Sequence, residues 1–408
     1  MKIKIYEGNK IGGCITEVSA DKTKIIFDYG LNLDDTPQIN IKGLTFDKPE
    51  YSAVFISHYH GDHIGNIAKV LPKIPIYIEE TTCKLFKIMN DFGKGKVDFE
   101  KLNITTFRFK EEIVIGNLKV IPYIVDHSAY NSCMFLVTDG REKALYTGDY
   151  RDNGKKGKLL LPTIKEIGKV DYLITEGTTV NSDTHSIKKE SELEKEFIEV
   201  FKKYKQVFIM MSTANIDRIP VVFKAAMKTN HVFIQDLYMA HITNAIGEKI
   251  PNPDFTGVYV YKPVRYIRSK NGEFKAKYVD NSFNNKNDAS RLFVPFVMNI
   301  RQGMKNDLKI LKKKNALNNA CMIYSMWGGY KGKKEMIEFK NGVKEMGIEW
   351  LEKDIHATGH ATKETIEKVI KLSGVKKENV YLIHTNAVNS IKKTYTNIKG
   401  SEYNEKIR

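Results

Sequence analysis

Cysteine is scarce in this chain. Cys14, Cys83, Cys133 and Cys321 are scattered, each in or beside an apolar stretch, and no CxxC pair occurs. That pattern excludes a disulfide framework, argues against a sulfur-ligated zinc site, and reads as buried, reduced thiols. Long apolar runs are missing too. A membrane-spanning helix needs ~20 consecutive apolar residues, and no stretch approaches that. The N-terminal MKIKIYEGNKIGG alternates like a strand, without the apolar centre or cleavage site of a signal peptide. The expectation is a cytoplasmic protein with no membrane contact. Arginine is sparse, most of the 65 basic residues being Lys. Internal repeats and low-complexity blocks are absent.

What is present is an ordinary globular composition, 42% hydrophobic and 28% charged, over 408 residues. That length suggests two or three domains. The net charge of +16 suits a polyanionic partner such as nucleic acid. The excess is almost all Lys, and together with abundant Ile and Asn it also reads as a compositional habit of the source genome.

The first ~180 residues read as strand after strand with short turns. Strands are expected at Lys24–Gly30, Ala53–His58, Ile74–Glu80, Leu118–His127, Cys133–Asp139, Lys143–Asp149 and Asp171–Gly177, with one helix at Thr81–Phe92. Runs such as AVFIS and DYLITE suit strands covered on both faces. The texture then changes. Helical spacing at 185–204 is followed by strand and helix in alternation, the rhythm of a parallel α/β domain. Residues 264–288 are polar and read as loop with some strand. The tail from Ile348 carries a strand, a helix at Thr362–Ser373 and a strand at Asn379–His384.

The strongest chemical signal is Ser57-His-Tyr-His-Gly-Asp-His-Ile-Gly65, which follows an apolar strand. In extended backbone, residues two apart face the same way, so His58 and His60 offer two imidazoles to one ion. Gly61 is expected to provide a sharp turn, after which Asp62 and His63 address a second position. Imidazole and carboxylate together suit Zn²⁺, Mn²⁺ or Fe²⁺. His127, Asp149 and His384 each end an apolar run: VIPYIVDH, ALYTGD and VYLIH. Three ligand-type residues at equivalent strand ends, beside a metal-type loop, point to one site.

HYHGDH resembles the HxHxDH signature of the metallo-β-lactamase superfamily. Asp28, in IIFDYG, is similar to the acidic residue that supports the site from an earlier strand end. The resemblance implies an αββα sandwich binding two divalent metals, Zn²⁺ first and Mn²⁺ as the alternative. One metal would take His58, His60, His127 and Asp149; the other would take Asp62, His63, Asp149 and His384. Later features resemble the β-CASP nucleases, ribonuclease J above all, without its C-terminal domain. These are Glu176 in LITEGTT, HATGHA at 356–361, His384 after a strand, and Ser212-Thr-Ala-Asn-Ile-Asp-Arg218. The architecture so implied is a core of 1–185 and 348–408, split by a β-CASP domain at 186–347. Thr385 and Asn386 stand where the family has Gly and Glu, and an aromatic loop, YSMWGGY at 324–330, replaces a substrate-touching one.

By the same resemblance, His360 is the general acid that protonates the leaving oxygen, held charged by Glu176, with Asp62 counted among the catalytic groups. His356, Ser212 and Asn215 are expected to contact substrate, a phosphate resting on the N–H groups that open the next helix. The function implied is a ribonuclease cutting single-stranded RNA by a two-metal mechanism. Exo- or endonucleolytic action and a homo-oligomer are left open. The competing readings are a DNA-processing nuclease on the same scaffold, a small-molecule metallo-hydrolase and a nucleic-acid-binding protein without turnover. His384 leans towards RNA, since DNA-acting relatives tend to carry Val there. The long insertion and the pair His356/His360 count against a small substrate.

Overall fold

The computed structural model describes residues 1–6, 8–34, 36–93, 97–181, 188–261, 282–283 (backbone alone), 294–313, 317 and 319–385. His185, Asn386 and most of the polar 264–288 stretch lie outside the described residues. The chain forms two compact units, Met1–Ile187 with Gly359–Arg408, and Lys188–Thr358.

The first unit is a sandwich of two six-stranded sheets. One sheet runs in chain order: β1 (Lys2–Tyr6), β2 (Ile15–Ala20), β3 (Thr23–Phe27), β4 (Ala53–Ile56), β5 (Ile76–Glu79) and β6 (Ile104–Phe107). Pairing is antiparallel from β1 to β3 and parallel from β3 to β6. The other sheet contains β7 (Ile113–Ile115), β8 (Leu118–Ile124), β9 (Cys133–Thr138), β10 (Lys143–Tyr146) and β11 (Tyr172–Glu176). Its far edge is the returning strand Val380–Ile383, parallel to β11.

Period-two alternation builds the layers. Ile25, Phe27, Ala53 and Phe55 point between the sheets and meet Phe135, Tyr146, Ile174 and Ile383. Ile26, Val54 and Ile56 point the other way, into a core that includes Cys83 on the helix Glu80–Phe92. Leu145 and Leu173 face Leu160 and Ile164 of the helix Leu160–Ile167 and Ile366 and Val369 of the helix Lys363–Leu372. The order helix, sheet, sheet, helix is the αββα arrangement. Phe27 stacks on Tyr146 at 5.1 Å between centroids; emptying such a position costs ~3–5 kcal/mol.

The second unit is a seven-stranded, wholly parallel sheet. Its strands are β12 (Gln206–Met211), β13 (Val232–Asp236), β14 (Val258–Tyr261), β15 (Ser282–Phe283), β16 (Phe296–Asn299), β17 (Ala320–Ser325) and β18 (Glu349–Leu351). The return segment expected from residue 348 differs here: Glu349–Leu351 pairs with Cys321–Ile323, and the first unit resumes at Gly359. The reason is that Trp350 joins the second unit's core. The remaining differences are omissions. The strand β2 reads ITEVSA, too polar to stand out. The helix Leu160–Ile167 was hidden by Pro162, which is tolerated in a first turn because no N–H is needed there.

Candidate metal centre

The site is assembled in the first unit from the loops that follow β3, β4, β8, β10, β11 and the strand Val380–Ile383. Glu176 is the last residue of β11, Asp28 and His384 directly follow their strands, and His58, His127 and Asp149 lie two or three residues beyond theirs. Six parallel or near-parallel strand ends therefore deliver polar side chains to one edge of the sandwich. The loop after β4 packs tightly on the loop after β3. A Cβ on Gly30 would lie 1.6 Å from Asp62 O, so only glycine permits that approach. Gly61 does not play the part expected of it. It opens the short helix Gly61–Ile64, has no positive φ, and a Cβ there would meet nothing within 4 Å.

Asp28 is the anchor. It directly follows β3 and lies in the left-handed region, with φ +58°, which is sparsely populated for a residue with a Cβ. Its Oδ1 accepts the Ser57 N–H at 2.7 Å; its Oδ2 accepts the Ser57 hydroxyl at 2.7 Å and the Tyr146 hydroxyl at 2.6 Å, and meets His63 Nδ1 at 2.7 Å.

These partners fix four imidazole tautomers. His63 Nδ1–H donates to Asp28. Because the Ser57 hydroxyl is spent on Asp28, its oxygen accepts from His58 Nδ1–H at 3.0 Å. His127 Nδ1–H donates to Gly359 O at 2.5 Å. Thr178 donates its hydroxyl to His384 O and so accepts from His384 Nδ1–H at 2.7 Å. Each ring then turns its Nε2 away from that outer partner, the arrangement in which an outer hydrogen bond orients a ligating histidine.

Two groups of inward atoms result. His58 Nε2 and His127 Nε2 each lie 3.1 Å from His60 Nδ1. Nitrogens bound to one tetrahedral Zn²⁺ at ~2.0–2.1 Å are ~3.3–3.4 Å apart, so the trio is spaced for one ion. Burial, reinforced by mutual repulsion, holds His58 and His127 well below the usual histidine range. Burial likewise lowers His60 to about 4. All three are neutral and able to donate lone pairs.

The second group centres on Asp149. Its Oδ2 lies 3.2 Å from His63 Nε2, 3.9 Å from His127 Nε2 and 4.0 Å from His58 Nε2. Its Oδ1 lies 3.8 Å from His384 Nδ1. Asp62 Oδ2 lies 3.0 Å from His384 Nε2. Here the charge balance reverses. Burial opposes charge on His384, but Asp149 foremost, with Cys14 and Asp62, outweighs it and lifts the ring to about 9. Burial opposes ionisation of Asp149 too, yet His384, His63 and His360 hold it well below the carboxylate range.

A metal fits this donor set. His63 Nε2 and Asp149 Oδ1 are buried with no hydrogen-bond partner, and such orphans call for a cation. His58, His60 and His127 form one ligating group, and His58, His63 and Asp149 another. A third contains Asp149, Glu176, His360 and His384.

Glu176 ends β11, fully buried. Its Oε1 accepts the N–H groups of Tyr150 and Ala361, each at 3.1 Å, and its Oε2 lies 3.0 Å from His360 Nδ1. Burial alone would depress His360. Glu176 and Asp149 outweigh it and raise the ring to about 9. His360 Nδ1 is 3.6 Å from Asp149 Oδ2, and its ring is partly exposed.

The remaining expected residues, Ser212, Asn215 and His356, belong to the second unit. Ser212 is exposed and accepts the Ala214 N–H at 3.2 Å. The helix that follows starts at Arg218, with Asp217 before it, so neither Ser212 nor Asn215 caps it. Asn215 donates to Glu190 at 3.5 Å. Glu190 grips the buried Arg218 through two parallel bonds of 2.8 and 3.0 Å. Arg218 also reaches Ser325, whose hydroxyl donates to Ile355 O, just before His356. Burial, and then Arg218, lower His356 to about 4. In the aromatic loop, Tyr324 is buried, its hydroxyl bonded to Trp327 O. Trp327 and Tyr330 are exposed, edge to face at 5.2 Å. Sequence reasoning missed Ser57, Thr178 and Tyr146, whose only signal is adjacency to strand ends, and Glu190, which opens the helix Glu190–Phe201. It also gave Cys14 no role at the site.

The sequence profile of the metallo-beta-lactamase superfamily matches residues 15–199. Over those residues the chain is similar to that superfamily. A metallo-beta-lactamase core with an inserted domain is also the closest description of the sheet order above. A crystal structure of a protein of unknown function from Enterococcus faecalis V583 shares the fold over 96% of each chain, at a TM-score of 0.75 and 20% identity. Among curated relatives, cleavage and polyadenylation specificity factor 73 of Drosophila melanogaster is 24% identical over 49% of this chain and 31% of its own. Ribonuclease J 2 of Streptococcus pyogenes is 24% identical over 51% and 40%. Ribonuclease J of Pyrococcus abyssi is 27% identical over 45% and 47%. The chain thus spans between about a third and a half of the length of these relatives. No helix among the described residues is long and apolar enough to cross a membrane.

Proposed function

We propose that this metallo-β-lactamase-fold protein is a two-metal phosphodiesterase that cuts single-stranded RNA. The observation that carries the reading is the convergence of four oriented imidazoles on Asp149, which belongs to two ligating groups. His58, His60, His127 and Asp149 would hold one ion; Asp62, His63, Asp149 and His384 would hold the other. Bound there, two divalent ions supply Lewis acidity to the phosphate and lower the pKa of a water nucleophile.

The chain's own residues do the rest. Asp28 keeps His63 and, through Ser57, His58 in the ligating tautomer. Glu176 fixes the ring plane of His360 and keeps it protonated, so that His360 can give a proton to the departing sugar oxygen. In the second unit, Ser212, Asn215 and His356 are the proposed nucleic-acid contacts, Asn215 Oδ1 and His356 Nδ1 being buried without partners. Exposed Trp327 and Tyr330 offer faces on which bases can stack. Relatives named as ribonucleases favour RNA, and the net charge of +16 suits any nucleic acid.

The test is incubation of labelled single-stranded RNA, single-stranded DNA and a generic ester with the protein, each with Mn²⁺ or Zn²⁺ and each with chelator. The expected result is metal-dependent cleavage of RNA ahead of DNA, with the ester untouched. Preferred turnover of the ester would overturn the reading.

A further inference from the structure

We propose that Cys14 is a sulfur ligand of the second metal position, an inference that rests on the metal-binding reading above. Cys14 is buried, and its Sγ lies within 4.8 Å of one ring nitrogen of His63 and one of His384, which lie within the same distance of each other. Those residues come from three separate segments, before β2, after β4 and after the strand Val380–Ile383.

The thiol is placed there by backbone bonds to the site's own loops. Cys14 N–H donates to Asp62 O at 3.0 Å, and Cys14 O accepts the Gly30 N–H at 3.1 Å. Gly12 and Gly13 precede it with φ of +101° and +64°, so the chain turns inward at a point where residues with a Cβ are disfavoured. The independent observation is His63 Nε2. It is buried and without a hydrogen-bond partner, and the carboxylate oxygen 3.2 Å away, on Asp149, lacks hydrogen-bond geometry. The imidazole that carries this orphaned nitrogen is the one grouped with the Cys14 sulfur.

Ligation exchanges the S–H bond for a sulfur–metal bond, the proton leaving to solvent. A thiolate is a soft donor, so its presence biases this position towards Zn²⁺ and away from Mn²⁺, which prefers oxygen. The second site is then chemically distinct from the first, which holds nitrogen and carboxylate donors alone.

The decisive experiment is X-ray absorption at the zinc edge on the zinc-loaded protein, with elemental analysis of the same sample. A Zn–S shell at ~2.3 Å, beside Zn–N/O at ~2.0–2.1 Å, is expected at about half a sulfur per zinc. Cys133→Ser should keep the shell and Cys14→Ser should lose it. Zinc affinity at one position of Cys14→Ser should fall by at least the ~10–100-fold typical of losing even an outer partner, with Mn²⁺ affinity changing less. The Co²⁺-loaded wild type should show sulfur-to-cobalt charge transfer in the near ultraviolet. Two bound zinc ions with no sulfur shell would overturn the proposal and leave the metal centre standing. A wild type that binds no zinc would overturn both. The wild-type spectrum decides the matter even if Cys14→Ser fails to fold.

Discussion

Glu176 Oε2 lies 3.0 Å from His360 Nδ1, while Glu176 Oε1 accepts the N–H of Ala361, the next residue along. One buried carboxylate therefore holds both the ring and the backbone that carries it. His360→Ala is expected to retain both metals and RNA affinity, yet lose ~10²–10⁴ in cleavage rate, the usual cost of a missing proton donor. Metal content, RNA binding and rate, measured on one preparation, check this. Loss of metal together with activity would make His360 a ligand.

The same pair predicts a pH effect. Glu176 and Asp149 raise His360 to about 9. Glu176→Gln removes the largest raising influence, so the protonated acid is lost at lower pH. The alkaline limb of the rate profile should move down in pH, with a smaller rate loss near neutrality than in His360→Ala. An unmoved limb would assign it to another group.

Asp28 touches no inward atom of the site, yet it accepts from Ser57, Tyr146 and His63. Asp28→Asn should lower metal affinity by ~10–100-fold, as loss of an outer partner does. Titration against a calibrated chelator measures it. Unchanged affinity would show that the tautomers are fixed without Asp28.

Much of this site was legible because chemistry-bearing residues sit directly after apolar strands. VIPYIVDH, ALYTGD and VYLIH each mark a sheet edge, and one residue at that edge is a ligand candidate. The expected strands overran by one to three residues for the same reason, since side-chain pattern does not reveal where ladder pairing stops. The outer partners were not legible. Ser57, Thr178 and Tyr146 are common residue types whose importance depends on contacts up to 206 residues away. Cys14 was passed over because burial of a thiol is the ordinary case, and nothing local shows what it is buried against. Tyr324 and Trp327, three residues apart, look equivalent in sequence. One packs beneath Trp350 and the other is exposed, because β17 ends at Ser325 between them.

Trp327→Ala should weaken single-stranded RNA binding by ~1–3 kcal/mol, the value of one stacked base. Fold stability and metal content should not change, as the ring is exposed. The affinity of the wild type should also fall steeply with salt, as counterion release requires. Filter binding across a salt series checks both.

Asp149 is the hinge of the account, because its carboxylate lies in two of the clusters that could hold a metal ion and is the bridging ligand proposed above. The most direct measurement is the metal stoichiometry of wild type and Asp149→Ala by elemental analysis after exhaustive dialysis. Two equivalents in the wild type and a large loss from both positions in the variant are predicted. Retention of two equivalents by Asp149→Ala would contradict the account.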